Sequence, residues 1–106
     1  MNTPTPGLSD ISLSNENGTW CFRGHITQNN ANTAFLLSAN SLLPESGVVD
    51  FSGVSKADST ALSLMLAITR RANRQAAKLA FRGVSDNLKT LARVYGIEHL
   101  FLRSLK

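Results

Sequence analysis

Val48-Val49-Asp50-Phe51-Ser52-Gly53-Val54-Ser55-Lys56-Ala57-Asp58-Ser59-Thr60-Ala61-Leu62-Ser63-Leu64 is the stretch that decides the fold. Val48, Val49 and Phe51 are β-formers in a short apolar run, which predicts a strand over Val48–Phe51 packed on both faces. Gly53 marks the turn out of it. Asp58 is a good N-cap, because its carboxylate accepts the free N–H groups two or three residues on. The helix then runs over Ser59–Ala76, with Ser59 and Thr60 in its first turn near the positive end of the dipole. A hydroxyl at the mouth of a loop is open to a partner or a kinase. A strand, a loop and a capped helix also occur in every α/β fold, where such hydroxyls commonly serve the cap alone.

On the helix from Ser59, the 3.6-residue period puts Ala61, Met65, Ile68, Ala72 and Ala76 on one face, with Leu62 and Thr69 beside them. The opposite face presents Ser59, Ser63, Leu66, Ala67, Arg70 and Arg74. Upstream, Ile11-Ser12-Leu13-Ser14 and Trp20-Cys21-Phe22-Arg23-Gly24-His25-Ile26 alternate around Asn17-Gly18, a strong hairpin signal. Trp20, Phe22 and Ile26 face one side; Cys21, Arg23 and His25 face the other. Thr27 is placed to cap a helix over about Asn29 to Leu42, with Ala31, Ala34, Phe35, Ser38 and Leu42 at helical spacing. Pro44 and Gly47 end it.

Downstream, Lys78–Val84 reads as a further strand. Ser85 caps a helix with Leu88, Leu91, Ala92 and Tyr95 inward and Gly96 at its end. Leu100-Phe101-Leu102 forms a last short apolar element. Residues 1–8, with two prolines and a glycine, read as a loose tail, and 9–106 as the domain. The order β β α β α β α predicts a mixed sheet of about four strands packed with three to four helices, an α/β domain.

The 106 residues suffice for one core without staples, and the single cysteine, Cys21, excludes an internal disulfide and suits a reduced, cytosolic setting. No apolar run has membrane-span length, so no membrane insertion is expected; the first residues lack the pattern of a secretion signal. The net charge of +4 is unevenly placed: residues 1–69 carry two Lys/Arg against five acids, and residues 70–106 carry nine against two. The basic half points to an acidic partner, nucleic acid, an anionic lipid surface, or a merely solvated face. Nucleic acid is not expected, because the charges lack interleaved aromatics.

No catalytic constellation is legible. His25 and His99 lie in separate elements, no His/Cys/Asp/Glu set has metal-ligand spacing, and Gly53 and Gly83 stand alone rather than in a phosphate loop. Cys21 and His25 diverge along a pleat. Asp58 is explained as a cap and Asp50 as a strand-end residue. No cofactor, no metal and no enzymatic activity are expected.

Two blocks carry a resemblance. Asp50-Phe51-Ser52-Gly53-Val54-Ser55-Lys56-Ala57-Asp58-Ser59-Thr60-Ala61-Leu62-Ser63-Leu64-Met65 resembles the central junction of STAS domains, most closely the MlaB-like group. The stretch from Leu79 to Ile97, through Gly83-Val84 and Leu91-Ala92-Arg93-Val94-Tyr95, is similar to the family's next strand and helix. The resemblance covers about residues 9 to 103. It implies a cytoplasmic, non-catalytic subunit on the inner face of the inner membrane, within an ABC complex that moves phospholipids and maintains outer-membrane lipid asymmetry. Its partner would be the ATPase MlaF, in company with the permease MlaE and the lipid-binding MlaD. The hydroxyl after the Asp matters at the ATPase contact in that group, and Ser59 holds that place.

In the related anti-sigma-factor antagonists the phosphorylated hydroxyl falls at Thr60, and a glycine commonly follows where this chain has Ala61. The alternative implied function is therefore a switch phosphorylated at Thr60 or Ser59. A fused anion-transporter tail is not expected. The partner surface predicted from the family's hydroxyl and the helix's outer face comprises Ser59, Thr60, Ser63, Leu66, Ala67, Arg70 and Arg74, flanked by Lys89 and Arg93.

Overall fold

The structure is a computed structural model and describes residues 11–100. The expected tail, the domain's first boundary and most of the Leu100–Leu102 element lie outside these residues. The elements run β1 (Ile11–Glu16), β2 (Thr19–Ile26), α1 (Ala31–Ala39), β3 (Val48–Ala57), α2 (Ser59–Arg74), β4 (Ala80–Arg82), α3 (Asp86–Val94) and a 3₁₀ turn (Glu98–Leu100). The predicted order β β α β α β α is the observed one. The sheet order is β1-β2-β3-β4, with β1 antiparallel to β2 and the other neighbours parallel.

The hairpin forms where Asn17-Gly18 announces it, with φ of 56° and 83° at the two turn residues. Parallel strands added one after another by right-handed crossovers put their helices on one side of the sheet. Accordingly α2 is central, touching α1 on one side and α3 on the other. Trp20, Phe22, Ile26, Val49, Phe51 and Phe81 are buried under this helical layer. Trp20, Phe22, Phe51 and Phe81 form an edge-to-face aromatic row across three strands, with centroid separations of 6.3, 5.4 and 5.9 Å. From α2 come Ala61, Leu62, Leu64, Met65, Ile68 and Ala72. Leu64 is a core residue that helical spacing had not singled out.

Several expectations are corrected. β3 continues through Gly53 to Ala57 and, among the described residues, is covered on one face only: Asp50 and Ser52 lie on the other. Two register shifts against β2 give β3 extra residues, opposite Cys21–Arg23 and opposite Gly24–His25. Gly53 is thus no turn. It lies so close to β2 that a Cβ there would stand 2.6 Å from Arg23 Cγ and 3.0 Å from the Phe22 carbonyl oxygen. Asp50 is no strand-end residue either: it is the third residue of β3, and its carboxylate accepts from the Arg82 guanidinium at 2.9 Å. β4 is shorter than Lys78–Val84, since the chain is still leaving α2 before it and turns at Gly83 (φ 71°) after it.

α1 is shorter than expected, and Thr27 does not cap it. Asn30 holds the cap position, but its amide is spent on the preceding loop, accepting from Thr27 N–H at 2.9 Å and donating to the His25 carbonyl at 2.6 Å. Leu42 lies beyond the helix and is 88% exposed, while its carbonyl receives the Trp20 indole N–H at 3.0 Å. α2 stops at Arg74, and Ala76 is exposed with φ 54°. The Ala77 and Ala76 N–H groups return to the carbonyls of Ala72 and Asn73, a Schellman ending with alanine where glycine is favoured.

α1 and α2 are joined by Arg71, whose guanidinium donates to the Ser38 and Ser41 carbonyls at 2.8 and 2.6 Å. Arg71→Ala is expected to lower stability by about 1–3 kcal/mol, whereas Arg70→Ala stays within about 0.5 kcal/mol of wild type. Urea denaturation of both variants checks the contrast. Ala76→Gly relieves a left-handed alanine and is expected to raise stability by about 1 kcal/mol, read as a higher urea midpoint at unchanged slope.

Candidate functional site

The site is built from two helix ends. At the start of α2, Asp58 has extended backbone and its carboxylate accepts from Thr60 N–H at 2.9 Å and from the Thr60 hydroxyl. Its second oxygen accepts from Gln28 N–H, also at 2.9 Å, in the loop that leaves β2. The Asp58 N–H donates to the Ile26 carbonyl at 3.2 Å. Burial opposes ionisation of Asp58, but the bonds from Thr60 and Gln28 prevail and hold its carboxyl below the usual value.

At the far end of α3, Gly96 (φ 71°) sends its N–H to the Arg93 carbonyl at 3.0 Å, and Ile97 sends its own to Ala92 at 2.9 Å. This Schellman ending swings Tyr95 and Ile97 toward α2. α3 itself starts as predicted, with the Ser85 hydroxyl accepting from Leu88 N–H at 3.2 Å.

Between the two ends lies a groove of about 320 Å³ lined by Ser59, Thr60, Leu62, Ser63, Leu66, Tyr95 and Ile97. It brings together four of the residues singled out from the sequence. Ser59 and Ser63 are exposed, Thr60 and Leu66 half-buried. Ala67 (half-buried), Arg70 and Arg74 (both exposed) continue along α2 outside the groove. Lys89 is half-buried and Arg93 exposed on α3; neither lines the groove, and Arg93 faces Glu98 at 3.5 Å. Sequence spacing missed the two residues of the second wall. Tyr95 falls on the inward track of α3 by period, yet it is 56% exposed, because the helix ends there and the side chain projects past the core. The glycine after it was the available signal.

The groove can hold an apolar or small polar group against hydroxyls, and no His, Cys, Asp, Glu or Lys lines it. Among the described residues no three His, Cys, Asp or Glu side chains gather to hold a metal. Cys21 is half-buried, and burial together with the nearby Glu16 pushes its thiol up, away from a reactive thiolate. A larger cleft of about 580 Å³, lined by His25, Thr27, Gln28, Asn29, Asn30, Lys56 and Asp58, lies at the carboxyl ends of β2 and β3. No helix among the described residues is long and apolar enough to cross a membrane.

The four-stranded mixed sheet with three helices is the fold of a STAS-type domain. The family model described as the Mlab STAS domain matches residues 22–104, and the chain belongs to that family. Comparison with curated proteins found no match.

The Asp58 cap gives a pH prediction. Its folded-state value is depressed below the ordinary 3.8, so its contribution is fully present above that value and is lost as pH falls through the lower one. Asp50 shifts in the same direction: burial opposes ionisation, but bonds from Ser52 and Arg82 outweigh it. Stability is therefore expected to fall steeply below about pH 4. Asp58→Asn should flatten that slope, and Asp58→Ala should cost about 1 kcal/mol or more at pH 7. Denaturant titrations from neutral to acid pH measure both.

Proposed function

We propose that this chain is a non-catalytic STAS subunit that binds the ATPase of a phospholipid-transport ABC complex at the inner face of the inner membrane. There it supports the ATPase in maintaining outer-membrane lipid asymmetry. The partner is an ATPase of the MlaF kind, in company with permease and lipid-binding subunits of the MlaE and MlaD kinds. The observation that carries this reading is the groove at the start of α2, where Ser59, the hydroxyl after the capping Asp, stands exposed beside Ser63, Leu66 and Tyr95. Membership of the Mlab STAS family supports the choice of partner.

A switch worked by phosphorylation draws less support. The Thr60 hydroxyl already donates to the Asp58 carboxylate, and a phosphoryl group there would face that carboxylate across like charge. Ser59 is the hydroxyl a kinase would reach, and the same exposure suits docking.

Co-expression with the ATPase tests the proposal. The wild-type chain is expected to co-purify with it. Ser59→Glu adds volume and charge at a tight contact while an acid in the first turn leaves the helix intact, and Leu66→Glu places a charge on the groove's apolar wall. Both are expected to fold by circular dichroism and to lose the ATPase. Co-purification of both folded variants at wild-type stoichiometry would place the contact elsewhere.

A further inference from the structure

Three arginines stand on α2, and they differ in what they do. Arg71 is consumed by the Ser38 and Ser41 carbonyls. Arg70 and Arg74 are exposed, one helical turn apart, and among the described residues neither makes a side-chain hydrogen bond or ion pair. α2 has no acidic residue of its own to neutralise them. They continue the outer face that carries Ser63 and Leu66 in steps of three and four residues, so they extend the groove's line along the helix.

The other wall supplies an aromatic ring. Tyr95 lines the groove yet stays 56% exposed, so a partner side chain entering there would cover much of an amphipathic ring. Buried at the centre of a contact, Tyr is among the residues that carry most of the affinity. The structure offers a slot of apolar and hydroxyl side chains with an aromatic wall, continued along α2 by two guanidiniums that have no acidic partner among the described residues.

We infer that the groove and the Arg70–Arg74 pair form one continuous docking surface for an acidic amphipathic segment of the ATPase, with an apolar side chain between Leu66 and Tyr95 and carboxylates on the two arginines. At a rise of about 1.5 Å per residue, Arg70 and Arg74 lie about 6 and 12 Å along the axis from Leu66, which sets the spacing the segment must match. The charge complement argues for the occupant: guanidinium forks take carboxylates in two-point contacts, and Arg suits such contacts where Lys does not. This inference rests on the proposed ATPase partner and adds the chemistry of the element that docks.

The two halves of the surface have different signatures. Coulombic attraction at a rim is screened by salt and acts largely on the association rate; apolar burial is not screened in that way. Binding of the purified chain to the purified ATPase is measured at about 0.05 M and about 0.5 M salt, where screening differs severalfold. Arg70→Glu/Arg74→Glu is expected to weaken binding about tenfold or more at low salt, chiefly through slower association, and the deficit shrinks at high salt. Tyr95→Ala is expected to weaken binding about tenfold at both salt concentrations, with Tyr95→Phe near wild type. Arg71→Lys, off this surface, serves as the charged control and keeps wild-type affinity.

Thermal melts confirm that each variant is folded. Wild-type affinity in the folded Arg70/Arg74 variant, a deficit indifferent to salt, or a neutral Tyr95→Ala overturns the inference. If Ser59→Glu still abolishes binding in that case, the ATPase partnership stands and only the acidic segment is wrong. If the wild-type chain does not bind the ATPase, both fall together.

Discussion

One carboxylate fixes the geometry on which the rest depends. Asp58 caps α2 through Thr60 and ties that cap to the loop after β2 through Gln28, while its own N–H closes on Ile26. α2 has no acidic residue in its first turn, so Asp58 is the anion at its positive end. A simple cap would orient the helix about its own start. This one also locks the start to the carboxyl end of β2, and the position of Ser59 relative to the sheet follows. The carboxylate keeps its charge against partial burial only because three donors from two segments converge on it.

The second constraint is that, among the described residues, the sheet is covered on one face. Consecutive strand order puts the three helices together, and among the described residues the opposite face is polar. Glu16 pairs with Arg23 at 2.6 Å and Asp50 with Arg82 at 2.9 Å across neighbouring strands there. Arg23 and Ser14 hold the Glu16 carboxyl down to about 2, though a pair this exposed contributes little to stability. Cross-strand charges of this kind favour a solvated face and a fixed strand register. The apolar material goes to the other face, where the aromatic row gives α2 a flat bed.

What the sequence made legible follows from this division. Features governed by neighbours in the chain were readable: the Asn17-Gly18 hairpin, the Asp58 and Ser85 caps, the order of elements and the outer face of α2. Features governed by distant partners were not. Ser52-Gly53 reads as a loop because its polarity and its glycine are local turn signals. They are answered by the open face and by the close approach of β2, neither visible in the stretch itself. Leu42 reads as helix interior by spacing, but α1 ends at Ala39, and beyond it the Leu42 carbonyl takes the indole N–H of the distant Trp20. Of the groove, the α2 wall was in the periodicity, and the Tyr95–Ile97 wall was not, because it exists only where two helix ends meet.

That meeting of ends bears on how the groove works. Core packing sets the middle of a helix, whereas hydrogen bonds at the termini set where the last side chains point. The outer end of each wall is of the second kind, the Asp58 cap at Ser59 and the Gly96–Ile97 return to α3 at Tyr95, while Leu62 and Leu66 are held by core packing. Each closes backbone groups that would otherwise fray. A groove whose rims are hydrogen-bonded in advance would lose little conformational freedom if the proposed partner docked there. The α2 wall mixes the hydroxyls of Ser59, Thr60 and Ser63 with the apolar Leu62 and Leu66. With the termini locked, the shape left between Ser59, Ser63 and Tyr95 is set in advance, and volume added at any of the three changes it directly; under the proposed docking that shape would carry the specificity.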